Sequence, residues 1–241
     1  MVTDPPAESL PDLVALPAFN IFPQRRRGRD LLTFAANEWN AGPGRLVVEG
    51  FRRAGSDVMD AYQYFYDQQG RVVGKSPAGK MAYHDARGHD HWHFLQFASY
   101  SLLDADTRHI VRSRKQAFCI VPTDAVDLTV RGAELNGFGV GLGSACGGRG
   151  SIWVREVLPA GWGDTYYQSV AGQAFDITDL PNGVYHLQVA VDPLGKLVQR
   201  RTSNDVAIRK VRLKGSPGAR RVVVSPWRGI SDGPTVIVEG H

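Results

Sequence analysis

Strict alternation of apolar and polar residues constrains this chain more than any other feature. In residues 184–191, Tyr185, Leu187, Val189 and Val191 fall on one side. His186, Gln188 and Ala190 fall on the other. A period of two matches a strand with one buried face and does not match a helix. The run follows Asp179-Leu180-Pro181-Asn182-Gly183, where Pro and Asn-Gly suit a tight reversal. Further short runs are Arg45-Leu46-Val47-Val48-Glu49, Ala61-Tyr62-Gln63-Tyr64-Phe65-Tyr66 and Arg108-His109-Ile110-Val111, with two more at 221–225 and 235–239. No long helical periodicity interrupts them, and 27 glycines and 14 prolines supply turns between them. Many short strands joined by turns predict an all-β fold with little helix, an antiparallel sandwich or barrel.

The 241 residues are 43% hydrophobic, enough for a substantial core. Aromatics at 10% and charge at 22% argue against intrinsic disorder. The expected layout is a loose arm at 1–10, a main domain at 11–214, and a strand-forming tail at 215–241 packed on that domain. No apolar run approaches the ~20 residues of a membrane span. Met1-Val2-Thr3-Asp4-Pro5-Pro6 lacks the plan of a secretion signal. The net charge of +4 is modest, with one basic cluster at Arg25-Arg26-Arg27-Gly28-Arg29, so no nucleic-acid partner is expected. The glycine-rich stretch at 136–150 has no following Lys-Ser/Thr and reads as a surface loop. Cys119 and Cys146 are either two buried thiols or one disulfide.

The chemistry concentrates in His89-Asp90-His91-Trp92-His93, with His84 shortly before it. On a strand, residues i, i+2 and i+4 share a face, about 6.5–7 Å apart. Two imidazoles at that spacing can close on one metal ion. Three from a flat strand require either a bend or bulge, which Gly88 permits, or different ring nitrogens on the middle and outer histidines. Leu95 and Phe97 continue the same parity, so the histidines are expected to face inward. All-nitrogen ligation suits copper, zinc, iron or nickel. His84 is either a fourth ligand, a supporting donor or a solvated loop residue.

Several motifs in a shared order resemble the lysyl oxidase family, in its bacterial form. They are Gly88-His89-Asp90-His91-Trp92-His93-Phe94, Tyr100-Ser101-Leu102-Leu103-Asp104, Lys115-Gln116-Ala117-Phe118-Cys119 and Gly161-Trp162-Gly163-Asp164-Thr165-Tyr166. Phe175-Asp176-Ile177-Thr178-Asp179 and Leu180-Pro181-Asn182-Gly183-Val184-Tyr185 follow. The resemblance covers roughly residues 10–214 and implies an antiparallel β-sandwich-like single catalytic domain with long loops and little helix. It implies copper held by His89, His91 and His93, and a lysine tyrosylquinone built from Lys115 and Tyr166. It also implies oxidation of a primary amine (free or peptidyl lysine, or a diamine) by dioxygen. A Cys119–Cys146 disulfide and an extracellular or cell-envelope location complete the expectation. Asp164 stands two residues before Tyr166 and is the candidate general base; a turn-capping role is its alternative. Tyr167 competes with Tyr166 for the quinone position. Animal relatives carry a histidine where Ser99 stands, and several disulfides where this chain can form one. The alternatives are a non-catalytic copper- or zinc-binding secreted module and a metal hydrolase.

Overall fold

The computed structural model describes residues 4–85, 90–136 and 142–227. Its described residues form strands and loops, with one short 3-10 turn at Ala7–Ser9. Two antiparallel sheets account for the strands. One contains β1 (Leu13–Ala15), β2 (Phe19–Arg26), β3 (Arg29–Asn40), β9 (Asp124–Ala125), β11 (Trp162–Tyr166) and β12 (Ala174–Asp176). The other contains β4 (Leu46–Arg52), β5 (Val58–Tyr66), β6 (Val72–His84), β7 (His91–Leu103), β8 (Ile110–Phe118), β10 (Trp153–Leu158), β13 (Gly183–Val191), β14 (Val206–Lys214) and β15 (Arg221–Val224). The all-β class expected from the alternation, and the sandwich-like form that the resemblance implies, are the ones observed.

The core lies between the sheets. Phe34 of β3 meets Tyr100 of β7 edge to face, with ring centroids 5.2 Å apart, and stacks on Phe175 of β12. Along β13, Tyr185, Leu187, Val189 and Val191 are all buried, as the period-two pattern requires. The 179–183 turn differs from a simple hairpin. It connects β12 in one sheet to β13 in the other, and Tyr185 donates its hydroxyl hydrogen to the Pro181 carbonyl at 2.8 Å. Pro and Asn-Gly here serve a crossover between layers, which local sequence does not distinguish from a reversal within one.

The edges of the domain are tied down by polar contacts. Ser9 is buried, and Leu10 accepts the Gly44 N–H. A Cβ at Gly44 would fall 2.2 Å from the Ser9 carbonyl carbon, so only glycine lets these backbones meet. Asp12 accepts hydrogen bonds from Arg201 and Asn204, each at 2.8 Å. Of the tail, residues 221–224 form β15 on β14. The strand-like run at 235–239 lies outside the described residues.

Candidate metal and quinone site

The histidines sit where β6 and β7 pair. Ala82 lies opposite His93 and His84 opposite His91. Directly opposed residues of an antiparallel pair share a face, so the small Ala82 side chain leaves room for the imidazoles. The His91 and His93 ring centroids are 4.6 Å apart, and His84 lies 5.2 Å from His93. Exposure falls across the group: His84 is exposed, His91 half-buried and His93 buried. His84 is thus a strand-end residue packed on the array. His89 lies outside the described residues. Among the described residues, no group of three or more His, Cys, Asp or Glu side chains is disposed to hold a metal ion. His91 and His93 nonetheless bring two imidazoles side by side on one strand face, a donor pair suited to copper or zinc.

The expected continuation of that face through Leu95 is corrected by the structure. The register between β7 and β8 shifts between Phe94 and Ala98, and Gln96 has φ 62°. This bulge turns Leu95 outward, where it is 36% exposed, and returns Phe97 to the core. Among the described residues the irregularity follows the array; Gly88 lies outside them.

Three contacts fix the buried end of the array. The Trp92 N–H donates to the Cys146 carbonyl and its indole Nε1 to the Gly148 carbonyl, both at 3.0 Å. The Phe94 N–H donates to Glu156 Oε1 at 3.1 Å. The other oxygen of Glu156 accepts the Ile120 N–H at 2.9 Å, next to Cys119. Cys119 and Cys146 form the disulfide implied by the resemblance, with Cα atoms 5.9 Å apart. The glycine-rich segment is therefore more than a surface loop at 146–148, because it packs against the histidine strand. Residues 137–141 lie outside the described residues.

Tyr166 closes β11 opposite Ala36. Its ring centroid is 4.1 Å from that of Phe118, the last residue of β8. Phe118 is in turn the register partner of Phe94, adjacent to His93. The fold thus brings together the tyrosine, the end of the strand carrying Lys115, and the histidine strand. Lys115 pairs with Ser99 through the backbone. Its side chain lies outside the described residues. Ser99, the departure from the animal pattern, is therefore directly opposite Lys115. Tyr167 is half-buried beyond the strand end, while Tyr166 packs against the core.

Asp164 is not a turn cap. It is buried within β11, and Oδ2 accepts the Val121 N–H at 3.3 Å. Burial pushes its carboxyl well above the usual aspartate range, and the nearby Glu38 carboxyl adds to the shift. Burial also pushes the Tyr166 phenol far up, reinforced by Asp164, Glu156 and Glu38; the Cys119 backbone pulls the other way. This phenol is a neutral hydroxyl at physiological pH. Glu156 is likewise raised well above its ordinary value by burial.

A family profile for lysyl oxidase matches residues 63–223, which include the histidine array, β8 and Tyr166. The chain belongs to the lysyl oxidase family. A lysyl oxidase homolog 2 from Gallus gallus is 26% identical over 170 residues, covering 70% of this chain and 19% of that protein. A protein-lysine 6-oxidase from Sus scrofa is 30% identical over 142 residues, covering 58% of this chain and 51% of the relative. The human protein-lysine 6-oxidase is 29% identical over 142 residues, covering 58% and 30% respectively. The chain thus matches about half, or less, of the length of these relatives. No helix among the described residues is long and apolar enough to cross a membrane.

The sequence reading missed two buried acids, Glu38 and Glu156. Each had a usable signal. Glu38 stands in Phe34-Ala35-Ala36-Asn37-Glu38-Trp39, and Glu156 shares the parity of Val154 and Leu158. A carboxyl on the apolar face of a strand is costly unless it is hydrogen-bonded or protonated.

Proposed function

We propose that this chain oxidises a primary amine to an aldehyde, with release of ammonia and hydrogen peroxide, using copper and a lysine tyrosylquinone. His89, His91 and His93 hold the copper in this reading, and Lys115 and Tyr166 supply the quinone. The substrate is a lysine-like amine, free or peptidyl, or a diamine, with dioxygen as the oxidant. The site of action is extracellular or in the cell envelope, consistent with the disulfide. The observation that carries the reading is the position of Tyr166. Its ring packs on Phe118 at the end of the Lys115 strand, one register pair from the histidine strand.

When bound, copper and the quinone supply an electron sink that accepts two electrons from the amine and passes them to dioxygen. The chain's own groups do the rest. Asp164, once ionised, removes the proton from the carbon bearing the amine. It shares the inward face of β11 with Tyr166 because the two are separated by one residue. Phe118 packs on Tyr166, Phe97 on Phe118 and Phe94 on Phe97, an aromatic row that keeps bulk water from the reacting carbon. Glu156 holds the histidine strand to the disulfide segment through its two backbone bonds. Water enters only to release the aldehyde.

The copper-loaded, aerated chain is expected to release peroxide and aldehyde in equal amounts from a simple alkylamine or a lysine peptide. Release should disappear on copper removal and return on re-addition. Copper-replete protein that carries the quinone and still releases no peroxide from any primary amine would refute the assignment. Ser99 opposite Lys115 favours one second reading, a non-catalytic copper- or zinc-binding module. That reading predicts metal uptake without a quinone.

A further inference from the structure

Glu38 and Asp164 are register partners on β3 and β11. Directly opposed side chains of an antiparallel pair have Cβ atoms about 4.5–5.5 Å apart on one face. Both residues are buried, at 0% and 1% exposure. Neither carboxyl forms an ion pair with a described Lys, Arg or His side chain. Both oxygens of Glu38 and Oδ1 of Asp164 lack a hydrogen bond of good geometry. Among the described residues, the titratable groups facing the pair are Tyr100 on β7, Glu156 on β10, Tyr166 on β11 and Asp124 on β9. None of these is a cation. On the other side of Glu38, β1 presents only Ala15.

We infer that Glu38 and Asp164 act as a coupled carboxyl pair that retains at least one proton at neutral pH, with Glu38 setting the pH at which Asp164 becomes a base. Two carboxylates this close, in a dry interior, cannot both ionise without a compensating charge. Burial raises Glu38 to about 8, while the facing Tyr100 hydroxyl partly offsets that rise. Ionisation of one member therefore opposes ionisation of the other. Glu38 is a positioning residue in this scheme, because it acts on the substrate proton only through Asp164. The pairing stands without the amine-oxidase reading; only its catalytic consequence rests on that reading.

The pair also links stability to pH. A carboxyl raised in the folded state binds a proton that the unfolded chain releases at lower pH. Glu38 therefore contributes stability below pH ~4.5 that is lost as pH rises through about 8.

The test is infrared spectroscopy of the full chain, which reads protonated carboxyl groups directly and needs neither copper nor substrate. The Asp164 band is isolated by subtracting the spectrum of Asp164→Asn. The same subtraction in a Glu38→Gln background pairs Glu38→Gln with the double variant. In Glu38→Gln, Asp164 should ionise at least about one pH unit lower than in wild type, because its neighbour no longer carries charge. An unchanged Asp164 titration would overturn the inference. So would wild-type protein in which both carboxyls are fully ionised at pH 6, the result expected if a cation occupies the site. Wild-type spectra alone reach that second outcome if a variant fails to fold. A flatter fall in melting temperature between pH 5 and 8 for Glu38→Gln would support the pair, and an unchanged fall would oppose it. A silent enzyme with coupled carboxyls would refute the amine oxidase and leave the pair intact.

Discussion

Replacing Tyr166 by phenylalanine abolishes amine-dependent peroxide release while leaving the fold and copper uptake in place. The ring is what packs on Phe118 at 4.1 Å, and phenylalanine keeps the ring. The lost hydroxyl has one backbone partner at Cys119 and three raised carboxyls around it. Its removal should cost only about 1 kcal/mol, the net worth of an ordinary hydrogen bond. The chemistry has no such tolerance, because a benzene ring without the phenol cannot become the quinone. Peroxide assay, copper content and melting temperature separate the two effects. Tyr167→Phe should retain activity, since Tyr167 sits beyond the end of β11. Activity in Tyr166→Phe, or its loss in Tyr167→Phe alone, would reassign the quinone tyrosine.

Asp164→Asn should slow turnover by about 10²–10⁴-fold, the usual contribution of a positioned general base. The amide is nearly isosteric with the carboxyl and can still accept the Val121 N–H. It also removes an ionisable group from a buried site, so stability should hold or rise. The quinone absorbance should persist, because Asp164 is not one of the cross-linked residues. The wild-type rate should climb only at pH values well above the usual aspartate range, because burial and the Glu38 carboxyl hold Asp164 protonated below that. The variant should lack that rise. A variant with unchanged kcat and an unchanged pH profile would remove Asp164 from the mechanism.

The sheets were legible because a half-buried strand writes its period into the chain, as residues 184–191 do. The disulfide and the joining of Tyr166 to the Lys115 strand came from ordered motifs, since neither pairing is encoded locally. The bulge at Gln96 was not legible. Its left-handed backbone carries a glutamine where glycine would have marked it, and Gly88, where a bend was expected, lies outside the described residues. The crossover at 179–183 escaped for a related reason: a turn's residues report its backbone shape and not which sheet the next strand joins. Glu38 and Glu156 were hidden in apolar surroundings, and only the fold shows that one faces Asp164 and the other clamps Phe94 and Ile120.

The most direct measurement is a peptide map of the copper-loaded, aerated chain by mass spectrometry. A single covalent species joining the peptides of Lys115 and Tyr166, absent when copper is withheld, is the predicted result. Recovery of both peptides separately, at their unmodified masses, from protein with its copper bound would contradict the account.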